Sequence, residues 1–183
     1  MNVSKIGIFI LLAVAMVTSC VTYDEYAPKQ RTSIEKYLAD NELSYVITTD
    51  SAYIHLAGNK YGVEREEDSA QGAKHGDKVT FNVEAYEFNS SPAGSPYYTN
   101  KRYIAEAISS ELDTSFWNFD PWVVTLGKKE ILNPLEEALG GSIGGDSLAV
   151  FLTSSLAYGQ EGMGVVKPNT AVMIVLTVED VAK

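Results

Sequence analysis

The fold is decided by the stretch Pro121–Val181, which reads PWVVTLGKKEILNPLEEALGGSIGGDSLAVFLTSSLAYGQEGMGVVKPNTAVMIVLTVEDV. Trp122–Leu126 and Ser147–Thr153 within it are rich in apolar and β-branched residues, the composition of β-strands. Ala171–Val181 carries apolar side chains at successive positions, so both of its faces are apolar. A strand with two apolar faces is typical of the centre of a sheet. The stretch therefore predicts three strands, the last of them central.

A short helix is predicted between the first two of these strands. Asn133 is a good N-cap, Pro134 suits the first helical position, and Glu136 completes the capping spacing. Gly140 can close the C-terminus. These signals predict a helix of about two turns over Pro134–Leu139.

Three further strands are predicted upstream, at Leu43–Thr49, Ser51–Ala57 and Lys78–Phe88. The apolar phase of the last of these shifts at Tyr86 and Phe88, which indicates a bulge or a twist there. Antiparallel strands with one short helix between them predict an α+β domain.

Helical spacing of apolar residues predicts an amphipathic helix over 29–41 and a surface helix over 101–112. Thr32 and Glu35 have the spacing of a capping box in the first helix, although that helix can begin a few residues earlier. Its thin apolar stripe favours a spacer packed on the domain surface. The acidic segment Gly58–Gly76 between the predicted strands is read as a solvated loop.

The N-terminus has the pattern of a lipoprotein signal. Lys5 precedes an uncharged run, Ile6–Val17, which is of signal-peptide length and too short to span a bilayer. Small residues before Cys20 resemble a bacterial lipobox, which predicts a signal at 1–19 and acylation of Cys20. The alternatives are an ordinary cleaved signal with an incidental cysteine, or an uncleaved anchor. Residues 20–42 are then a tether and helix, and 43–183 the main domain.

Charge and composition narrow the classes of partner. Hydrophobic residues make up 45% of the chain, as in a globular protein, and the formal charge is −10. Removal of 1–19 takes away Lys5, the single charged residue there, and leaves −11. Such a charge makes nucleic acid and anionic headgroups poor partners, so membrane attachment is expected through lipid on Cys20. Asp24 and Glu25 weakly resemble the export tag of Bacteroidetes-type surface lipoproteins.

Conventional catalytic and metal-binding patterns are missing from the sequence. His55 and His75 have no metal-ligand spacing around them, and a lipidated Cys20 leaves no cysteine for nucleophilic attack or a disulfide. A glycine loop of the kind that cradles phosphate is also lacking. We expect no metal and no cofactor.

A series of short motifs in the same stretch resembles the C-terminal part of the FKBP-type peptidyl-prolyl isomerases. The resemblance covers roughly 76–183 and is expected to begin near residue 43. The matching elements, in chain order, are Leu126-Gly127-Lys128, Ile131-Leu132, Leu135-Glu136-Glu137-Ala138-Leu139, Gly145-Asp146, Ala157-Tyr158-Gly159 and Lys167-Pro168-Asn169.

The resemblance implies an antiparallel half-barrel wrapped around the short helix, with an apolar pocket for proline-containing polypeptide segments. Tyr158 matches the tyrosine whose hydroxyl binds a ligand carbonyl, Trp122 a wall position, and Leu132 part of the pair before the helix. These three are the candidate catalytic residues. The candidate substrate-binding residues are Val83, Tyr98, Thr99, Val124, Glu130, Ile131, Leu135, Val165, Val166 and Ile174.

Some positions depart from the family pattern. Leu135 stands at the pocket floor, usually a tryptophan, and Ile174 replaces a phenylalanine. Tyr98-Thr99 matches a Phe-Asp pair, so the aspartate is missing. An inserted segment, 101–120, carries Trp117 and Phe119 and could refill or cap the pocket.

The resemblance predicts a peptidyl-prolyl cis-trans isomerase, a folding helper lipid-anchored in the bacterial envelope at the outer membrane, on its periplasmic or surface face. The altered pocket leaves a second interpretation open, a non-catalytic peptide-binding or protein-binding module. A purely structural surface lipoprotein is the third.

Overall fold

The computed structural model describes residues 25–58, 72–108 and 118–183. The predicted signal, Cys20 and Trp117 lie outside these residues, as does most of the acidic loop. The elements in chain order are α1 (Tyr26–Asp40), β1 (Val46–Ile47), β2 (Tyr53–Gly58), β3 (Lys78–Phe88), β4 (Tyr98–Thr99), α2 (Arg102–Ile108), β5 (Trp122–Thr125), α3 (Asn133–Leu139), β6 (Ser147–Leu152), a 3-10 turn (Ser154–Leu156) and β7 (Ala171–Ala182).

The strands of the described chain form one open antiparallel sheet. Its order is β1-β2-β6-β7-β3-β4, and β5 pairs with the other end of the β3 edge that β4 occupies. The long strands β3 and β7 pair along their whole length, from Lys78 opposite Ala182 to Phe88 opposite Ala171. The predicted α+β class and the central position of β7 are confirmed.

One face of the sheet packs on α3. Alternate residues of β3, β6 and β7 point to this face, as the period of a strand requires, and join one buried cluster with Leu135, Ala138 and Leu139 of the helix. We call this side the α3 face. It is the apolar core that surrounds the short helix.

The opposite face packs on α1 and is called the α1 face. Ile34 and Leu38 of the helix are fully buried against it, and Phe88 and Phe151 of the sheet lie in the same cluster. The two rings meet edge to face, with centroids 5.6 Å apart. The N-terminal helix therefore covers the back of the sheet and contributes to its core.

This packing corrects the prediction of a bulge near Tyr86 and Phe88. Pairing between β3 and β7 is continuous from Phe81 to Phe88, and the irregularity lies between Thr80 and Phe81. Phe88 is apolar because it points to the α1 face, where the helix buries it. The change of apolar phase arises because the end of β3 is buried on the α1 face as well as on the α3 face.

The N-capping predictions need correction. Helix α3 begins one residue early, at Asn133, whose side-chain amide donates to Asp50 at 2.9 Å instead of capping the helix. Gly140 is the C-cap of this helix, as predicted; its φ is an ordinary −56°, and the next residue, Gly141, takes the left-handed φ of 72°. In α1, Thr32 lies inside the helix and donates to the carbonyl of Pro28, so it is no capping box.

Two differences from the predictions concern strands at the edges of the sheet. The first strand shrinks from Leu43–Thr49 to two residues, because β1 is an edge strand with exposed side chains that pairs only with β2. The predicted surface helix over 101–112 is found as Arg102–Ile108, and residues 109–112 lie outside the described part of the chain. Strand β4 was not predicted. Within the described residues, no helix combines the length and apolar content of a membrane span.

Candidate active site

Tyr158 lies just after the 3-10 turn that follows β6. Its ring is half-buried and packs against the core cluster of the α3 face. The next residue, Gly159, has a φ of 61° in the left-handed region, where glycine is favoured because it has no Cβ. The amide of Gly159 donates to the carbonyl of Ser154 at 2.7 Å, which closes the turn that presents Tyr158.

The hydroxyl of Tyr158 meets the hydroxyl of Tyr97, with the two oxygens 2.9 Å apart. The rings lie edge to face, with centroids 6.1 Å apart. Burial raises the pKa of Tyr97 far above its ordinary value, and the hydrogen bond to Tyr158 raises it further. Either hydroxyl can donate in this pair, and one arrangement has Tyr97 as the donor to Tyr158. Tyr158 then keeps its own proton for another acceptor.

Tyr97 is a site residue that the sequence analysis missed. The motif comparison chose Tyr98 and Thr99, and it left out the neighbouring tyrosine. The adjacent tyrosines at 97 and 98 were the available signal, but only the fold shows which of them reaches a residue 61 positions further on.

Trp122 and Tyr98 form an aromatic wall beside the same core. The indole Nε1 donates to the hydroxyl of Tyr98 at 3.1 Å, and the ring centroids are 5.7 Å apart. Trp122 pairs across the strands with Phe81 and contacts its ring edge-on. Cross-strand partners share a face, so Trp122 points to the α3 face from β5.

Five predicted binding residues are buried together in the cluster of the α3 face. They are Val83, Val124, Leu135, Val166 and Ile174. Each belongs to a different element or loop, and the fold brings them into the one cluster against which Tyr158 and Tyr98 pack. Their side chains are core as well as site, because none of the five exposes more than 5% of its surface.

The pair before α3 lies at the border of this cluster. Ile131 is half-buried and packs against the core, whereas Leu132 is 37% exposed. The carbonyl of Leu132 accepts from the amide of Leu135 at 2.9 Å, which fixes the start of the helix. Leu132 is therefore an apolar rim residue.

Three candidates are placed differently. The Thr99 side chain is buried, and its hydroxyl accepts from the amide of Lys101 at 3.0 Å. The Glu130 carboxylate accepts from the amide of Thr125 at 2.9 Å, and Val165 is 74% exposed on its loop. A part for these three in ligand binding stays a prediction.

Contacts between the residues at its two ends hold the inserted segment, 101–120, together beside the sheet. Asn100 donates from its side-chain amide to the carbonyl of Asp120 at 3.0 Å and accepts from the amide of Val83. The guanidinium of Arg102 lies 4.4 Å from the centre of the Phe119 ring. The segment thus leaves and returns beside β3. Among the described residues no group of three His, Cys, Asp or Glu side chains could hold a metal ion.

Comparison with known proteins now identifies the family. A model of the FKBP-type peptidyl-prolyl cis-trans isomerases matches residues 69–179, more than half of the chain. The chain belongs to this FKBP family. Family membership implies ligands that contain proline. The match covers Tyr97, Trp122 and Tyr158 together with most of the buried cluster of the α3 face, from which Ala52 and Ile54 lie outside the matched range.

A solved structure shares the FKBP fold. The crystal structure of FkpA from Escherichia coli aligns with a TM-score of 0.53 at 13% identity, over 100% of this chain and 74% of that chain. At this identity the likeness concerns the fold. No curated protein gives a significant match.

Proposed function

We propose that this protein is a peptidyl-prolyl cis-trans isomerase that acts on X–Pro bonds at the site built around Tyr158. One observation carries the proposal. A tyrosine hydroxyl stands at the border of a cluster whose buried side chains are apolar, with the tryptophan wall beside it. Such a site offers one hydrogen bond and otherwise a dry surface.

An apolar site suits this reaction because no acid, base or nucleophile is required. Rotation about the X–Pro bond crosses a barrier of about 18–20 kcal/mol, because the partial double bond must be broken. The twisted amide has lost charge separation, so a desolvated surface favours it over the planar ground state. Burial of the proline against Ile131 and Leu132 would supply that environment.

The pair of tyrosines gives the polar half of the mechanism. With Tyr97 as donor, Tyr158 accepts one hydrogen bond and donates its own proton to a ligand carbonyl. Hydrogen bonds in such a chain polarise one another, so Tyr97 makes Tyr158 a better donor. The ligand carbonyl is thereby held while the proline rotates.

A second candidate function is binding of proline-containing segments without turnover. Two observations favour it. The hydroxyl of Thr99 is already engaged by Lys101, and the floor position is held by Leu135 in place of a larger aromatic residue. Both features reduce the contacts available to a twisted amide, whereas a bound ground state needs fewer of them.

The place of action is proposed to be the bacterial envelope, with the chain anchored by lipid on Cys20. The support is the signal-like segment before Cys20 and the acidic character of the chain, which gives anionic headgroups little to bind. The substrates proposed are proline-containing segments of envelope proteins during folding.

An isomerisation assay on a panel of X–Pro peptides tests the proposal. Uncatalysed isomerisation takes about tens to hundreds of seconds at 25 °C, so catalysis is resolved directly. Acceleration by the wild-type chain supports the isomerase. Binding of the same peptides, followed by Trp122 emission in a Trp117→Phe variant, without acceleration would favour the binding module. If the chain neither accelerates isomerisation nor binds the peptides, both proposed functions are wrong.

A further inference from the structure

The Gln30 side chain of helix α1 reaches the loop that carries Tyr158. This residue lies one helical turn before Ile34 and two before Leu38, on the same side of the helix. The side chains of Ile34 and Leu38 are fully buried on the α1 face. They fix the orientation of the helix and so direct Gln30 toward the sheet.

The amide group of Gln30 joins both ends of the loop. Its Oε1 accepts from the backbone amide of Ser154 at 2.8 Å and from the Ser154 hydroxyl at 3.1 Å. Its Nε2 donates to the carbonyl of Asn169 at 2.8 Å. The orientation of the amide is determined by its partners, because a backbone N–H can only donate and a carbonyl can only accept.

Two backbone hydrogen bonds complete a closed ring. The amide of Asn169 donates to the carbonyl of Gly159 at 2.9 Å, and the amide of Gly159 donates to the carbonyl of Ser154 at 2.7 Å. Gln30 then links Ser154 back to Asn169. The ring fixes Gly159, the residue directly after Tyr158.

The burial of Ser154 makes this link necessary. Ser154 exposes only 2% of its surface, so water cannot replace Gln30 as the acceptor for its amide without the loop opening. Asn169 takes the left-handed φ of 57°, which turns its carbonyl to the helix while its amide faces Gly159. Asn169, at this end of the loop, therefore bonds to Gln30 through its carbonyl and to Gly159 through its amide.

We propose that Gln30 is a positioning residue of the active site, which holds the Tyr158 loop closed from the N-terminal helix. The inference rests on the proposed function in that Tyr158 is the residue that meets the ligand. It extends the site to an element outside residues 69–179 and on the other face of the sheet. The helix thereby acts as a support for the ligand-binding loop.

Amide hydrogen exchange of the full chain tests the link without any ligand. Gln30→Met keeps the length and helical preference of the side chain but removes both hydrogen-bonding groups. We expect exchange at Ser154 and Gly159 to rise on the order of tenfold, with amides in the centre of β7 unchanged. Arg31→Met, at the exposed neighbouring position, is the matched control and should change neither.

A second substitution separates the two ends of the ring. Gln30→Glu keeps an acceptor for Ser154 but sets a carboxylate against the carbonyl of Asn169. Exchange should then rise at Asn169 and stay low at Ser154. In Gln30→Met the ring resonances of Tyr158 should shift, whereas in Arg31→Met they should not.

Activity provides the last arm. Gln30→Met should raise KM for an X–Pro peptide several-fold, and the same change in a Tyr158→Phe background should add nothing, because Gln30 acts through Tyr158. Unchanged exchange at Ser154 and Gly159, a uniform rise across the sheet, or fully additive effects on KM would overturn the proposal. A wild-type chain without activity would refute the proposed function, while exchange and the Tyr158 resonances would still decide whether Gln30 holds the loop.

Discussion

Two phenol groups meet at the border of the site, and either hydroxyl can donate to the other. When Tyr97 is the donor, the Tyr158 hydroxyl keeps its own proton for a ligand. The family motif leads to Tyr158 because it lies in a local Ala-Tyr-Gly signature. The motif says nothing of Tyr97, whose part depends on a contact across 61 positions of the chain.

Tyr158→Phe should lower kcat/KM by about two- to tenfold, because it removes one hydrogen bond of about 0.5–1.5 kcal/mol and leaves the apolar surface intact. Peptide isomerisation kinetics measure this effect. Tyr103→Phe, at an exposed position of α2, is the matched control and should have wild-type kinetics. A loss of many orders of magnitude in Tyr158→Phe would assign this hydroxyl a larger part than holding a carbonyl.

Leu132→Lys should be far more damaging, with a loss of kcat/KM on the order of a hundredfold. A charge at the rim brings water to the site on which desolvation of the amide depends. The exposed position of Leu132 lets the variant fold, which circular dichroism checks. Val123 is exposed on β5 and points to the face opposite to that of Trp122. Val123→Lys therefore controls for the added charge. Equal activity of the two lysine variants would contradict a desolvated site at Leu132.

Among the elements, α3 and the central strand were predicted well because their signals are local. Proline at the start of a helix and a run of alternating apolar residues are determined by a few neighbours in sequence. The length of β1 was overestimated, because an edge strand extends only as far as its single partner allows. Likewise, the stripe of α1 predicted a packed helix but could not show that Gln30 meets Ser154 and Asn169.

Leu135 of α3 stands at the predicted pocket floor, and its substitution tests whether the floor limits catalysis. Leu135→Trp restores the aromatic residue usual in the family and should raise kcat/KM if the pocket is only enlarged. Leu135 is 5% exposed among Ala138, Leu139 and the sheet, so the larger ring should also cost about 1–3 kcal/mol of unfolding free energy. Denaturant unfolding measures that cost, and Leu135→Met is the volume-conserving control. A stable variant without gain in activity would show that the floor is not what limits catalysis.

The contact between α1 and β2 predicts a specific alkaline response. The Tyr53 hydroxyl donates to the carboxylate of Glu35 at 2.7 Å, and burial, followed by this bond, raises the pKa of Tyr53 to about 12. An unfolded chain ionises the same group near its ordinary value of 10.0. Stability is therefore present below pH 10 and lost as pH rises from 10 to about 12.

Tyr53→Phe should flatten this part of the stability profile. Urea unfolding at several pH values between 9 and 12 gives the comparison, and Tyr103→Phe, at an exposed position of α2, is the control. The same slope in wild type and Tyr53→Phe would mean that Tyr53 does not ionise differently in the folded state.

The whole molecule combines an acidic globular domain with an N-terminal segment of lipoprotein pattern. Cys20→Ser should abolish acylation and release the chain from the membrane fraction, because the rest of the chain carries a formal charge of about −11 and, in its described part, no apolar span. Fractionation and metabolic labelling with palmitate measure both effects. A serine variant that still partitions with membranes would refute the lipobox interpretation.

The strand at the centre of the sheet follows every other described strand in the chain. Lys78 of β3 pairs with Ala182 of β7, more than a hundred residues later in the chain. Strand β6 pairs with the same late strand. Pairing of such high contact order is slow, and the core of the sheet cannot close until β7 pairs. The architecture is therefore completed in one late step, when β7 joins β3 to β6. A chain cut before Ala171 should leave one unpaired edge on β3 and one on β6, both prone to aggregation.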